Sequence, residues 1–228
     1  MLELMRNWRP QPSEAFYKKP PESSELGRRI MSEGLIFMQE IGFEAFTFKK
    51  LAERLQTTEA SVYRYFENKH HLLLYYMSIY WLWLEYHLTF GLHNLPESAS
   101  KLNKAIDMIT RPDKLNWPLK DLSFDHLLNL VVTEWGKIYF TSQIDKEDKA
   151  GLFADYKRFC KRLSQLITQS YPHYPYPNTL VSTAMNMLFV QRFYADHLPS
   201  LTDLTQDDIR ITDFIKNLVN GALQNPTA

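Results

Sequence analysis

Apolar positions in this chain recur at intervals of three and four residues, the period of a helix, over nearly its whole length. The first such run follows Ser23 and Ser24, either of which can cap a helix, and extends to about Glu40. Leu26, Ile30, Gly34, Phe37 and Ile41 fall on one face of it, and Gly42 stands where the helix should end. Thr47 then caps a short run, FKKLAERL, whose Leu51, Ala52 and Leu55 share a face. Gln56 and Thr57 form a turn, and Thr58 caps a third short run, EASVYRYF, with Val62 and Phe66 facing inward. The segment ENK breaks the pattern before a long helix from about Lys69 to Leu92. Further helices are expected at about 98–110, 121–143, 146–170, 178–198 and 206–223. Prolines mark several joints: Pro96, Pro112, Pro118, the stretch 171–177, and Pro199. No run alternates at period two over the length of a strand. The pattern specifies an all-α chain of about nine helices. Three parts are expected: an N-terminal extension (1–22), a three-helix domain (23–70) and a larger helical domain (71–228).

The two short helices at 48–66 pose a question, because they have little room for a core of their own. A helix-turn-helix answers it. The first helix buries its apolar face and braces the second, which projects polar residues into the DNA major groove. Val62 and Phe66 anchor the second helix, while Glu59, Ala60, Ser61, Arg64 and Tyr65 occupy its remaining faces. Small Ala60 and Ser61 allow close approach, and Ser61 can bond a base edge or a phosphate. Arg64 can reach guanine or phosphate, and Tyr63 and Tyr65 can donate hydroxyls to phosphate oxygens. Thr47 and Thr58 sit at helix N-termini, where amides and dipole favour an anion; Lys50 lies in the first turn after Thr47, and Lys69 opens the next helix. The same spacing suits a small helical subdomain that binds no DNA, so spacing alone leaves both readings open.

Composition narrows the field unevenly. Lys+Arg and Asp+Glu number 26 each, so any basic surface must be local. Residues 28–75 hold seven basic and six acidic side chains, a net of only +1. The single cysteine, Cys160, permits no disulfide within the chain and fits a reducing, cytoplasmic setting. Residues 1–22, with four prolines, lack the apolar core of a signal peptide and read as an extension packed on the surface or partly disordered. Arg6, Arg9, Lys18 and Lys19 give it the alternative reading of a minor-groove arm. The run 72–92 is apolar enough to suggest a membrane span, but Glu85, His87 and its tyrosines favour a buried helix. The seven histidines are scattered, and His70 and His71 cannot share a helix face, so no metal and no cofactor are expected. No nucleophile with a paired base, carboxylate dyad or phosphate loop is evident, which argues against an enzyme.

Residues 28–75 resemble the DNA-binding domain of the TetR family of bacterial transcription regulators. The resemblance rests on a first helix ending at IGFEAFTF, the brace KKLAERL, the recognition segment TTEASVYRYFENK and the continuation HHLLLYY. Thr58, Ser61, Val62, Tyr63, Tyr65, Phe66, Asn68 and Lys69 fit the family pattern, and by that resemblance Thr47, Ser61, Tyr63, Tyr65 and Lys69 inherit DNA contacts. Two positions depart. Thr57 replaces an apolar turn residue, and Glu59 stands where an uncharged or basic residue is common. Near a phosphate Glu59 would repel; toward a cytosine amine it could accept a bond.

The resemblance also implies a C-terminal helical domain that dimerises and holds a small-molecule pocket. Trp83, Tyr86, His87, Trp117, Trp135, Tyr139, Phe159, Met187 and Gln191 supply aromatic, soft and polar groups suited to a small apolar or aromatic ligand. An aromatic stripe at helical spacing is equally the mark of a packed core. The last two helices offer Val181, Ala184, Met185, Leu188, Phe189, Ile211, Phe214, Ile215 and Leu218 as a symmetric homodimer face, or as faces buried within one chain. The expectation is a ligand-responsive repressor acting as a homodimer on a palindromic operator. The alternative is a regulator of the same kind with no small-molecule ligand, controlled by a protein partner.

Overall fold

The computed structural model describes residues 8–96, 99–112, 114, 117–204 and 208–224. Among these there is no strand, and ten α-helices appear in chain order: α1 (Glu25–Ala45), α2 (Phe48–Arg54), α3 (Glu59–Tyr63), α4 (Lys69–Gly91), α5 (Ala99–Thr110), α6 (Phe124–Tyr139), α7 (Ile144–Lys149), α8 (Ala154–Ser170), α9 (Pro177–His197) and α10 (Asp208–Gln224). The expected helix at 146–170 is two helices, because Gly151 at φ +80° interrupts it. Among the described residues no helix is long and apolar enough to cross a membrane.

The chain forms two compact units. The first comprises residues 1–82 and 114–154, the second 83–113 and 155–228. A boundary expected at residue 70 thus falls inside the first unit, and α4 runs from one unit into the next. The first half of α4 is apolar on every side, and Leu72 through Trp81 are all buried.

In the first unit, local chemistry sets each helix end. Ser24 caps α1 by accepting from the amide of Gly27, and Gly42 kinks α1 near its end at φ +78°. The buried face of α1 is Gly27, Ile30, Met31, Gly34, Leu35 and Met38, rotated from the expected set; Leu26, Phe37 and Ile41 are half-buried. Asn68 caps α4 by accepting from the amide of His71 at 2.9 Å. Residues 8–24 are packed, with Phe16 buried edge-on to Tyr75. A 3₁₀ turn at Pro21–Ser23 lies so close to α1 that a Cβ on Gly27 would come within 2.1 Å of the Pro21 carbonyl oxygen. Arg6 lies outside the described residues.

In the second unit, polar contacts tie α5, α9 and α10 together. The hydroxyls of Thr110 and Thr212 lie 2.7 Å apart in the interior, Lys216 pairs with Asp107 at 2.7 Å, and Arg192 donates to the carbonyl of Thr110.

Candidate nucleic-acid interface

The helix-turn-helix is built from caps. Thr47 accepts from the amide of Lys50 at 3.2 Å to open α2. Thr58 accepts from the amide of Ser61 at 3.2 Å to open α3. Between them α2 ends in a Schellman turn: the amide of Thr57 bonds Ala52 at 2.9 Å and that of Gln56 bonds Glu53 at 3.1 Å. The turn needs a left-handed residue, and Gln56 supplies it at φ +55°. The backbone of Thr57 closes the turn. Leu51, Ala52, Leu55 and Val62 are buried and hold the two helices together.

Helix α3 has only five residues, shorter than its sequence pattern suggests, and that decides which side chains face out. Glu59, Ala60 and Arg64 are exposed, and Ser61 is half-exposed with its hydroxyl 2.9 Å from that of Thr58. Tyr63 is 42% exposed, and its ring meets Phe48 edge-on at 5.0 Å, which aligns it without burying it. Tyr65 does not face outward. It is 4% exposed, and its hydroxyl lies 2.6 Å from Ser24 Oγ. The cause is the early end of α3: past Arg64 the chain turns inward and buries Tyr65 and Phe66 together.

Several cations expected to form a basic footprint are bound within the unit. Arg54 pairs with Glu33 at 3.0 Å and with Glu40, whose carboxyl it holds below the ordinary carboxylate value. Arg29 donates to the carbonyl of Leu55 at 3.1 Å. Lys69 donates to the carbonyls of Phe43 and Glu44 at 2.8 and 3.0 Å, leaving one of its three N–H bonds for another partner. Lys50 is exposed while donating to the Ala45 carbonyl at 2.9 Å. Pairing removes acids as well: Glu33 and Glu40 answer Arg54, and Glu44 lies 3.5 Å from Lys137. In and around the helix-turn-helix, Thr47, Lys49, Lys50, Thr58, Tyr63 and Arg64 are exposed and Ser61 is half-exposed; the carboxylates Glu53, Glu59 and Glu67 are exposed as well.

The nine residues expected to line one ligand pocket divide between the two units. Trp117, Trp135 and Tyr139 belong to the first unit. Trp135 is buried against Trp81 and Tyr139, and the Trp117 indole N–H bonds the Leu122 carbonyl at 2.5 Å. The other six belong to the second unit. Trp83 and Phe159 are buried there, His87 stacks on Trp83 at 5.2 Å, Tyr86 tilts against Phe90, Met187 is half-buried, and Gln191 accepts from Thr202. Aromatic side chains on all sides of α4 satisfied one another as core. The second unit contains an apolar cavity of about 40 Å³ lined by α5, α8, α9 and α10. It also contains an open one of about 390 Å³ at His87, Lys104, Asp107 and Arg111.

The residues expected at a homodimer face divide between buried and exposed positions. Val181, Met185, Leu188, Phe189, Ile211 and Ile215 are buried within their own unit, and Val181, Ala184, Met185, Leu188 and Ile215 line its apolar cavity. Helix α9 is apolar on more than one side, so periodicity could not tell its inner face from its outer one. Phe214 is 38% exposed and Val190 is 36% exposed; Leu218 and Ala184 are half-buried.

Residues 30–76 match the family described as bacterial regulatory proteins, tetR family. No curated protein sequence matches the chain. Among solved structures, AibR in complex with isovaleryl coenzyme A and operator DNA is similar at 18% identity and a TM-score of 0.55, covering 84% of this chain and 97% of AibR. Apo AibR is similar at 17% identity and a TM-score of 0.48, covering 84% and 96%.

Proposed function

We propose that this chain, a DNA-binding regulator of the TetR family by its residues 30–76, acts as a homodimeric repressor on a palindromic operator and releases it when a small ligand binds. The observation that carries the reading is the exposed face of α3. Thr58, Ser61, Tyr63 and Arg64 project from a helix held from behind by Val62, Leu51 and Leu55, the arrangement a major-groove reader needs. Small Ala60 lets the backbone approach the duplex. Lys49, Lys50 and the α2 cap at Thr47 are offered to the flanking phosphates. Glu59 repels phosphate and can accept from a cytosine amine, so it restricts which sequences bind well. Two such helices, one per subunit, would read successive major grooves.

Dimerisation is assigned to the outer faces of α9 and α10. Phe214, Val190 and Leu218 leave apolar surface there that the chain does not cover itself. For the ligand, the apolar cavity among α5, α8, α9 and α10 is the natural seat, because a cavity of about 40 Å³ cannot accept more than a small group without parting those helices. A ligand that favours the parted arrangement shifts the population toward it. Helix α4 belongs to both units, so movement of its residues 83–91 is carried to Lys69, which holds the end of α1. AibR, similar in fold, is bound to both an acyl coenzyme A and operator DNA in its crystal structure, which favours a ligand-responsive reading over control by a protein partner.

The test is sedimentation of the purified chain with and without a duplex it binds. Two chains per duplex, and a dimer without DNA at micromolar concentration, are expected. A single chain on one half-site would overturn the dimeric reading.

A further inference from the structure

The segment 8–24 does more than cover the surface of the first unit. Its Lys18 amide bonds the Tyr65 carbonyl at 2.7 Å, and Lys19 sits 5.2 Å over the Tyr65 ring. Its Glu22 accepts the hydroxyl of buried Tyr75, and the Glu22 carbonyl accepts from Arg28 at 3.0 Å. The segment is therefore a strap across α1 and α4, fastened to the residue where the chain leaves the recognition helix.

Under this strap lies a cavity of about 370 Å³, within the range of small-molecule sites. Its apolar wall is Pro10, Met31, Ile79 and Leu119, and its polar wall carries Arg9, Arg28 and Lys120. These three cations come from the strap, from α1 and from the loop before α6, and nothing in local structure requires them to converge. Two carboxylates, Glu22 and Asp121, also line it, so the lining carries a net of one positive charge, and Glu22 is turned to the Tyr75 hydroxyl. The excess of positive charge beside an apolar wall selects an anion with a hydrocarbon body.

We propose that this cavity binds a small organic anion with an apolar body, and that the strap carries its occupancy to the end of the recognition helix. A carboxylate at Arg28 and Lys120 would compete for the contacts by which Arg28 holds Glu22. Any shift of the strap then acts on Tyr65 through Lys18 and Lys19. This second half rests on the DNA-binding reading; the binding site does not.

The experiment uses the full chain and a photoreactive diazirine analogue of octanoate, with adducts mapped by peptide mass spectrometry. Adducts are expected within residues 9–31 and 119–122. Excess octanoate should displace them, and octanol or octylammonium should not. Lys120→Glu, an exposed change, should cut labelling about tenfold, as should Arg28→Glu, because a charge-assisted contact becomes a repulsion. Absence of adducts there, displacement by octanol equal to that by octanoate, or labelling unchanged by Lys120→Glu overturns the site. For the coupling, saturating octanoate should change the half-saturation of operator binding by about tenfold, a typical allosteric factor. No change overturns the coupling while leaving the site standing. A chain that binds no duplex at all counts against the regulator reading, and labelling still decides the site.

Discussion

The hydroxyl of Tyr65 lies 2.6 Å from Oγ of Ser24, 41 residues earlier in the chain. One bond thus joins the cap of the first helix to the residue that follows the recognition helix. Because Ser24 also accepts from the amide of Gly27, the same oxygen organises both. Tyr65→Phe removes this bond and little else. It should cost about 1 kcal/mol of stability, the usual worth of such a bond, and lower Tm by about 2–4 °C in a chain of this size. Operator affinity, measured well below Tm, should stay unchanged, because Tyr65 faces the interior. A large loss of affinity with stability intact would mean that Tyr65 reaches DNA after all.

Gln56 adopts a left-handed conformation at φ +55° to close the turn between α2 and α3. An L-residue with a Cβ is strained there by about 1 kcal/mol relative to glycine. Gln56→Gly should therefore stabilise the folded chain by up to that amount, less the extra freedom glycine gains when unfolded. Chemical denaturation checks this: the midpoint should rise with the slope unchanged.

The turn also shows what could be read in advance. Caps were legible because their chemistry is local: Ser24, Thr47 and Thr58 each stand where the sequence placed them, whereas Gly42, expected to end α1, kinks it before its last turn. The length of α3 was not, because Tyr65 and Phe66 continue a helical pattern that tertiary burial ends early. The division of the aromatic candidates between two units was not legible for a related reason. Periodicity identifies an apolar face but not what covers it, and α4 and α9 have more than one such face. The packing of the extension was legible only as one of two readings, because its main partners, Tyr65 and Tyr75, are remote in sequence.

Arg64 and Glu59 are exposed on opposite sides of the charge balance beside α3. If Arg64 contacts a phosphate, Arg64→Ala should weaken binding to all duplexes alike and reduce the slope of log K against log salt by about 1. If it reads a base, the cost should be about 1–3 kcal/mol and confined to one position of the site. Glu59→Gln should strengthen binding to unrelated duplexes, since it removes a repulsion, and narrow the gap between specific and non-specific affinity. Titrations at several salt concentrations separate these outcomes.

His71, at the start of α4, carries a pKa lowered from the ordinary 6.5, chiefly because burial disfavours its charged form. Glu67 and Glu147 act against the shift, and His70 and Lys18 act with it. The unfolded chain therefore binds this proton at a higher pH than the folded one. The stability that neutral His71 preserves is complete above pH 6.5, and it is lost as pH falls from there through the lowered folded-state value. His71→Gln should flatten the pH dependence of Tm in that interval. An equally steep fall in the variant would assign it to other groups.

The central claim is that α3 reads DNA sequence as one half of a symmetric pair. The most direct measurement is selection of bound duplexes from a random pool by the purified full chain at a stated salt concentration. The account predicts enrichment of a palindrome whose half-sites are separated by about one helical turn or a multiple of it. Arg64→Ala should change the enriched sequence if Arg64 reads a base and leave it unchanged if Arg64 holds a phosphate. Enrichment of no sequence even at low salt, where phosphate contacts are strongest, would contradict it.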